Sequence, residues 1–126
     1  MRKLILILGL VASSPAVADV LSAGDLYSFC NANDEMNKAA CQFYVLGSVQ
    51  GISLGSGSVI DSSGRLVTND KRHFCIPDDT PQSELVAVFQ RTMQSLAKTY
   101  PEDLKLSAIS VLAIAMARAF PCPKSN

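Results

Sequence analysis

The residues able to do chemistry are few, and their types narrow the function at once. Four cysteines stand at Cys30, Cys41, Cys75 and Cys122, and His73 is the sole histidine. A zinc site would need thiolates or imidazoles at close spacing, yet the chain has no C-x-x-C and no histidine pair. A Cys–His nucleophile needs a free thiolate, which paired cysteines do not supply. No two carboxylates are spaced as an evident acid–base pair. Asp78 and Asp79 precede a helix start, where acids ordinarily cap or complement the helix dipole. The remaining polar cluster is Asp61, Arg65, Asp70, Lys71, Arg72 and His73, within the polar segment 56–73. Arginine there suits recognition, because its planar fork makes two hydrogen bonds and stacks. These residues predict a binding protein with no catalytic residues, no metal and no cofactor, in which Asp61, Arg65, Asp70, Lys71, Arg72 and His73 are the candidate contacts.

Composition agrees. Eleven basic residues balance eleven acidic ones, so there is no cationic excess to neutralise phosphates, which argues against nucleic acid. Aromatic residues make up 6% and tryptophan is absent, which leaves little for stacking platforms. At 126 residues the chain has the length of one domain.

The first eighteen residues read as an export signal. Arg2 and Lys3 form a positive start, Leu4 to Ala12 an apolar run, and Ala16-Val17-Ala18 an A-x-A cleavage site. The apolar run is too short to cross about 30 Å of hydrocarbon, so no membrane span is expected. No cysteine follows it for lipid attachment. Cleavage after Ala18 predicts a single domain over 19–126 in the periplasm. That domain loses Arg2 and Lys3 of the eleven basic residues and keeps all four cysteines. In an oxidising compartment an even count reads as two disulfides.

The elements that must position these residues are helical. Ser22 to Ala32 reads as a short helix capped through Ser22 and Asp25. Asn33 or Asp34 caps a second helix from Glu35 to about Leu54. In it Met36, Ala40, Phe43 and Gly47 form one stripe, with Cys41, Tyr44 and Val45 beside it. Gly47, Gly51 and Gly55 recur every four residues. Each costs about 1 kcal/mol against alanine in a helix, which predicts close packing against that face. Val59-Ile60 and Leu66-Val67, joined by Asp61-Ser62-Ser63-Gly64, suit a small hairpin. Thr80 is the expected cap of a third helix, with Pro81 at its first position. Leu85, Phe89, Thr92, Met93, Leu96 and Tyr100 give it an apolar stripe, and Gln90, Arg91, Gln94, Ser95 and Lys98 its wet side. Pro101 opens a last helix, with Glu102 and Asp103 at its start. It is apolar nearly all round from Leu106 to Phe120, so it serves as the central core helix, with one face available to a second subunit.

The fold class is therefore all-α: a small disulfide-stapled bundle of about four main helices, with a short β-hairpin in the 56–68 insertion. Four cysteines allow three pairings. Two helical hairpins place Cys30 near Cys41 and return Cys122 towards Cys75, which favours those bridges over Cys30–Cys75 with Cys41–Cys122.

Taken together, Cys30, Cys41, Tyr44, Gly47, Gly51, the run Cys75-Ile76-Pro77, Tyr100-Pro101 and Phe120-Pro121-Cys122 resemble the Rap/Tai immunity protein family, over about Ala23 to Pro123. The resemblance implies a small, periplasmic, all-helical protein stapled by disulfides, often a homodimer. It implies a function too: binding and occluding a peptidoglycan amidase effector delivered by type VI secretion, which protects the producing cell and its siblings. Two other functions compete. A periplasmic acid-stress chaperone would carry more charge than the 17% here and would open more easily than a doubly stapled core. An adaptor subunit would use the apolar last helix for assembly.

Overall fold

A computed structural model describes residues 20–68 and 71–124. The export signal predicted at 1–18 and the candidate contact Asp70 lie outside the described residues. Four helices and one hairpin follow in order: α1 (Ala23–Cys30), α2 (Glu35–Gly57), β1 (Ser58–Ile60), β2 (Leu66–Thr68), α3 (Gln82–Thr99), a 3-10 segment (Pro101–Lys105) and α4 (Ala108–Ala119).

Capping sets the helix starts. Ser22 Oγ accepts from the Asp25 amide at 3.1 Å and donates to Asp25 Oδ2 at 2.7 Å, the expected pair. Asp34 accepts from the Asn37 amide at 2.9 Å and from Asn37 Nδ2 at 2.8 Å. These bonds, the backbone one first, hold its carboxyl below the usual aspartate value. Ser107 Oγ accepts from the Ser110 amide at the head of α4. Ser22 and Ser107 also face each other across an isolated antiparallel bridge, with Ala23 N donating to Leu106 O and Ala108 N to Leu21 O, each at 2.8 Å. The starts of the first and last helices are thus sewn together by their backbones.

The core gathers one face from each helix. Leu26 of α1, Val45 of α2, Phe89 and Met93 of α3, and Leu112 and Met116 of α4 are fully or almost fully buried. Cys30 is bonded to Cys41, joining α1 to α2, and Cys75 to Cys122, joining the entry of α3 to the end of α4. Beside the second bridge Cys75 N donates to Phe120 O at 2.8 Å. By the chain-entropy argument, loops of 11 and 47 residues contribute about 3 and about 4 kcal/mol.

Several local expectations are corrected. Helix α1 stops at Cys30 rather than Ala32, where Asn31 Nδ2 takes the Tyr27 carbonyl at 2.9 Å. Helix α2 continues past Leu54 to Gly57. Its stripe of Met36, Ala40, Phe43 and Gly47 is not the inner face: Cys41, Val45 and Val49 are buried, and the stripe is exposed. A Cβ at Gly47, Gly51 or Gly55 would meet nothing within 4 Å, so close packing within this chain does not explain them. Thr80 does not cap α3. Pro81 is the capping residue, in extended conformation and with no side-chain bond, and the helix begins at Gln82. Gln90 is not on the wet side but half-buried, where its Nε2 donates to the Cys30 carbonyl at 3.0 Å. Glu102 and Asp103 sit in the 3-10 segment, not at the start of α4, because Ser107 caps that helix later. On α4, Ile109 and Ile114 are exposed, so the helix is less enclosed than its composition suggests.

Candidate functional site

The segment expected to carry the contacts folds as a projecting hairpin on the end of α2. Ser58, Val59 and Ile60 pair antiparallel with Thr68, Val67 and Leu66. The turn is built by Asp61. Its Oδ1 accepts from the Ser63 amide at 2.9 Å, the Ser63 hydroxyl at 2.6 Å and the Arg65 amide at 3.1 Å. Asp61 O accepts from Gly64 N at 3.0 Å, and Gly64 takes a φ of 81°, which glycine adopts without steric cost. The turn's hydrogen bonds, that from the Ser63 hydroxyl first, hold the Asp61 carboxyl below its ordinary value.

Side chains alternate across the two strands. Val59 and Val67 share a face that is partly covered, at 44% and 37% exposure. Ile60 and Leu66 share the other face, at 73% and 69%. A two-stranded hairpin is marginal by itself. Here α2 runs straight into β1, and the return of the chain braces the base. Phe74 is buried in the core and Cys75 is bonded to Cys122. Between hairpin and anchor, Arg72 lays its stem over Gly57: a Cβ there would lie 3.3 Å from Arg72 Cγ and 3.4 Å from Cδ. The Arg72 carbonyl is 3.8 Å from Cys122 Sγ. The oxidised sulfur carries no hydrogen, so this is a packing contact.

The six residues singled out by sequence therefore divide. Asp61 and Arg65 stand at the hairpin tip, and Lys71, Arg72 and His73 near its base, about 10 Å away at 3.4 Å per strand residue. Asp61 is spent on the turn, so it shapes the site instead of offering a free carboxylate. Arg65, Lys71, Arg72 and His73 are all exposed. Sequence reasoning passed over the tip's apolar pair, Ile60 and Leu66. The available signal was a pair of β-branched and aliphatic runs with no third strand to cover them.

Such a site is convex, apolar at the centre and cationic at its edges. The molecule's open hollows lie elsewhere: about 290 Å³ between Arg91, Ser95, Leu96 and Arg118, and about 260 Å³ beside Cys30, Lys38 and Gln90. Among the described residues, no cluster of histidine, cysteine or carboxylate is placed to hold a metal ion. No described helix is long and apolar enough to cross a membrane.

No curated protein and no solved structure matches the chain. The family model of the Rap1a immunity proteins matches residues 22–122, from the cap of α1 to the last cysteine. That span takes in the four helices, both disulfides and the hairpin, and by it the chain belongs to the Rap1a immunity protein family.

Proposed function

We propose that the protein is a periplasmic immunity protein that binds and occludes a peptidoglycan amidase effector delivered by type VI secretion, protecting the producing cell and its siblings. Family membership over residues 22–122 is the observation that carries this reading. Residues 1–18 act as a signal peptide cleaved after Ala18, and the mature domain begins at Asp19. Two disulfides suit an oxidising compartment.

The hairpin is the contact element, and the protein works by binding, with no catalysis of its own. A projecting apolar tip enters a groove more readily than it forms one. Ile60 and Leu66 exclude water at the centre, while Arg65, Arg72, Lys71 and His73 meet acidic or carbonyl groups at the rim. Two copies of the chain make up the assembly.

The experiment is co-purification of the oxidised protein with the product of the neighbouring open reading frame. A stable complex with an amidase, and loss of its cell-wall cleavage, is the expected result. A folded, disulfide-bonded protein that leaves that amidase active would overturn the reading.

A further inference from the structure

The outer face of α2 has a hydrophobic seam that nothing in the chain covers. Met36, Ala40, Phe43, Gly47, Gln50 and Leu54 follow one another at intervals of four and three, the spacing of a coiled-coil seam. At 100° per residue they lie opposite Val45, which is buried in the core. The structure leaves Met36 82% exposed, Phe43 75% and Leu54 64%. From Ala39 to Ile60 there is no charged residue at all. A helix face meant for water carries charged and polar side chains, and this one does not.

We infer that this seam is the surface on which two copies of the chain pair, through antiparallel α2 helices related by a two-fold axis beside Val45. The seam is symmetric about that point. In the antiparallel register Met36 meets Leu54 of the second copy, Ala40 meets Gln50, and Phe43 meets Gly47. The bulkiest residue thus falls on the barest, twice, once on each side of the axis. A Cβ at Gly47 would meet nothing within 4 Å, so the space Phe43 requires is open. An unrelated partner would impose no such match between the two halves of one helix, whereas self-pairing does. A lipid surface fits poorly, because interfacial helices carry lysine and arginine flanking the apolar face.

The footprint sets the strength. Helix α2 has 23 residues, which gives about 34 Å of length and, at 10–12 Å across, about 400 Å² per copy. That is about half of a standard interface of about 800 Å² per partner, so the pair is reversible. The inference rests on the two-copy assembly proposed above and not on the identity of the effector.

Sedimentation equilibrium of the oxidised protein, from about 5 to about 500 μM, tests it. The expected result is a monomer–dimer equilibrium, with Phe43→Glu and, separately, Gly47→Leu each reducing self-affinity at least tenfold at unchanged helicity. Gly47→Leu is the sharper variant, since it adds apolar surface and a better helix former yet fills the space for Phe43. Ile109→Glu and Ile114→Glu on α4 leave the equilibrium unchanged. A dimer that survives both α2 variants would overturn the seam while keeping the two-copy assembly. A monomer at every concentration would overturn both. A monomer that instead binds phosphatidylglycerol vesicles, and loses that binding in Phe43→Glu, would assign the seam to a lipid surface. None of these results bears on amidase binding, which is measured separately.

Discussion

The stem of Arg72 lies on Gly57, with its Cγ 3.3 Å from where a Cβ of that glycine would stand. The contact locks the chain returning towards Cys75 against the end of α2, at the base of the hairpin. Gly57→Val should push the Arg72 stem aside. We expect amide chemical-shift changes confined to 58–60 and 71–73, a melting temperature within a few degrees of wild type, and weaker effector binding. Unmoved 71–73 resonances would mean that the stem does not rest there in solution.

The rim cations and the apolar tip should separate in binding measurements. Replacing Arg65, Lys71 and Arg72 together by alanine should weaken effector binding and make what remains less salt-dependent, without lowering the melting temperature. Ile60→Ser with Leu66→Ser should cost at least tenfold in affinity, about 1.4 kcal/mol, chiefly by faster dissociation. Unchanged affinity in both variants would move the contact away from the hairpin.

Asp61 gives the turn a pH dependence. Its folded-state value is depressed, so its contribution is present above the ordinary aspartate value of 3.8 and is lost as pH falls through the lower folded value. The Ser63 and Arg65 amide resonances should therefore titrate together with a midpoint below 3.8. In Asp61→Asn that shared titration should disappear. A midpoint at or above the ordinary value would show that the three hydrogen bonds to Oδ1 do not persist in solution.

The bridges should differ in weight. Cys75→Ser with Cys122→Ser opens the longer loop and should lower unfolding free energy by about 4 kcal/mol. Cys30→Ser with Cys41→Ser should cost about 3 kcal/mol, both read from urea denaturation. Gly51→Ala and Gly55→Ala, where a Cβ meets nothing within 4 Å, should each stabilise the monomer by about 1 kcal/mol. A fall in stability at either glycine would show that this flank of α2 is covered.

Much of the fold was legible because its signals are local. Ser22 and Asp25, Asp34 and the Asp61–Gly64 turn each hold their element with bonds to residues two to four positions away, and such bonds can be read from sequence. The pairing of Cys30 with Cys41 and Cys75 with Cys122 follows from two helical hairpins. What failed was the choice of face on α2. Its inner and outer faces are both apolar, so periodicity offers two stripes and no means of ranking them. Gln90 was misread for the opposite reason: a polar residue went inward because the carbonyl of Cys30, left over at the end of α1, needed a donor. At the site, the charged residues drew attention by type. The apolar tip could be recognised only once no third strand was seen to cover it.

The bridge between Ser22 and Ser107 joins residues 85 positions apart, and it sets an order of events. A chain that emerges with its amino end first exposes α1 long before Leu106 and Ala108 arrive to satisfy Ala23 and Leu21. Until then α1 has eight residues, too few to persist alone in water. The leading segment therefore stays extended while the rest of the chain is still being made or threaded. Completion of the far end triggers the closing of the near end, and a truncated chain cannot masquerade as a finished one.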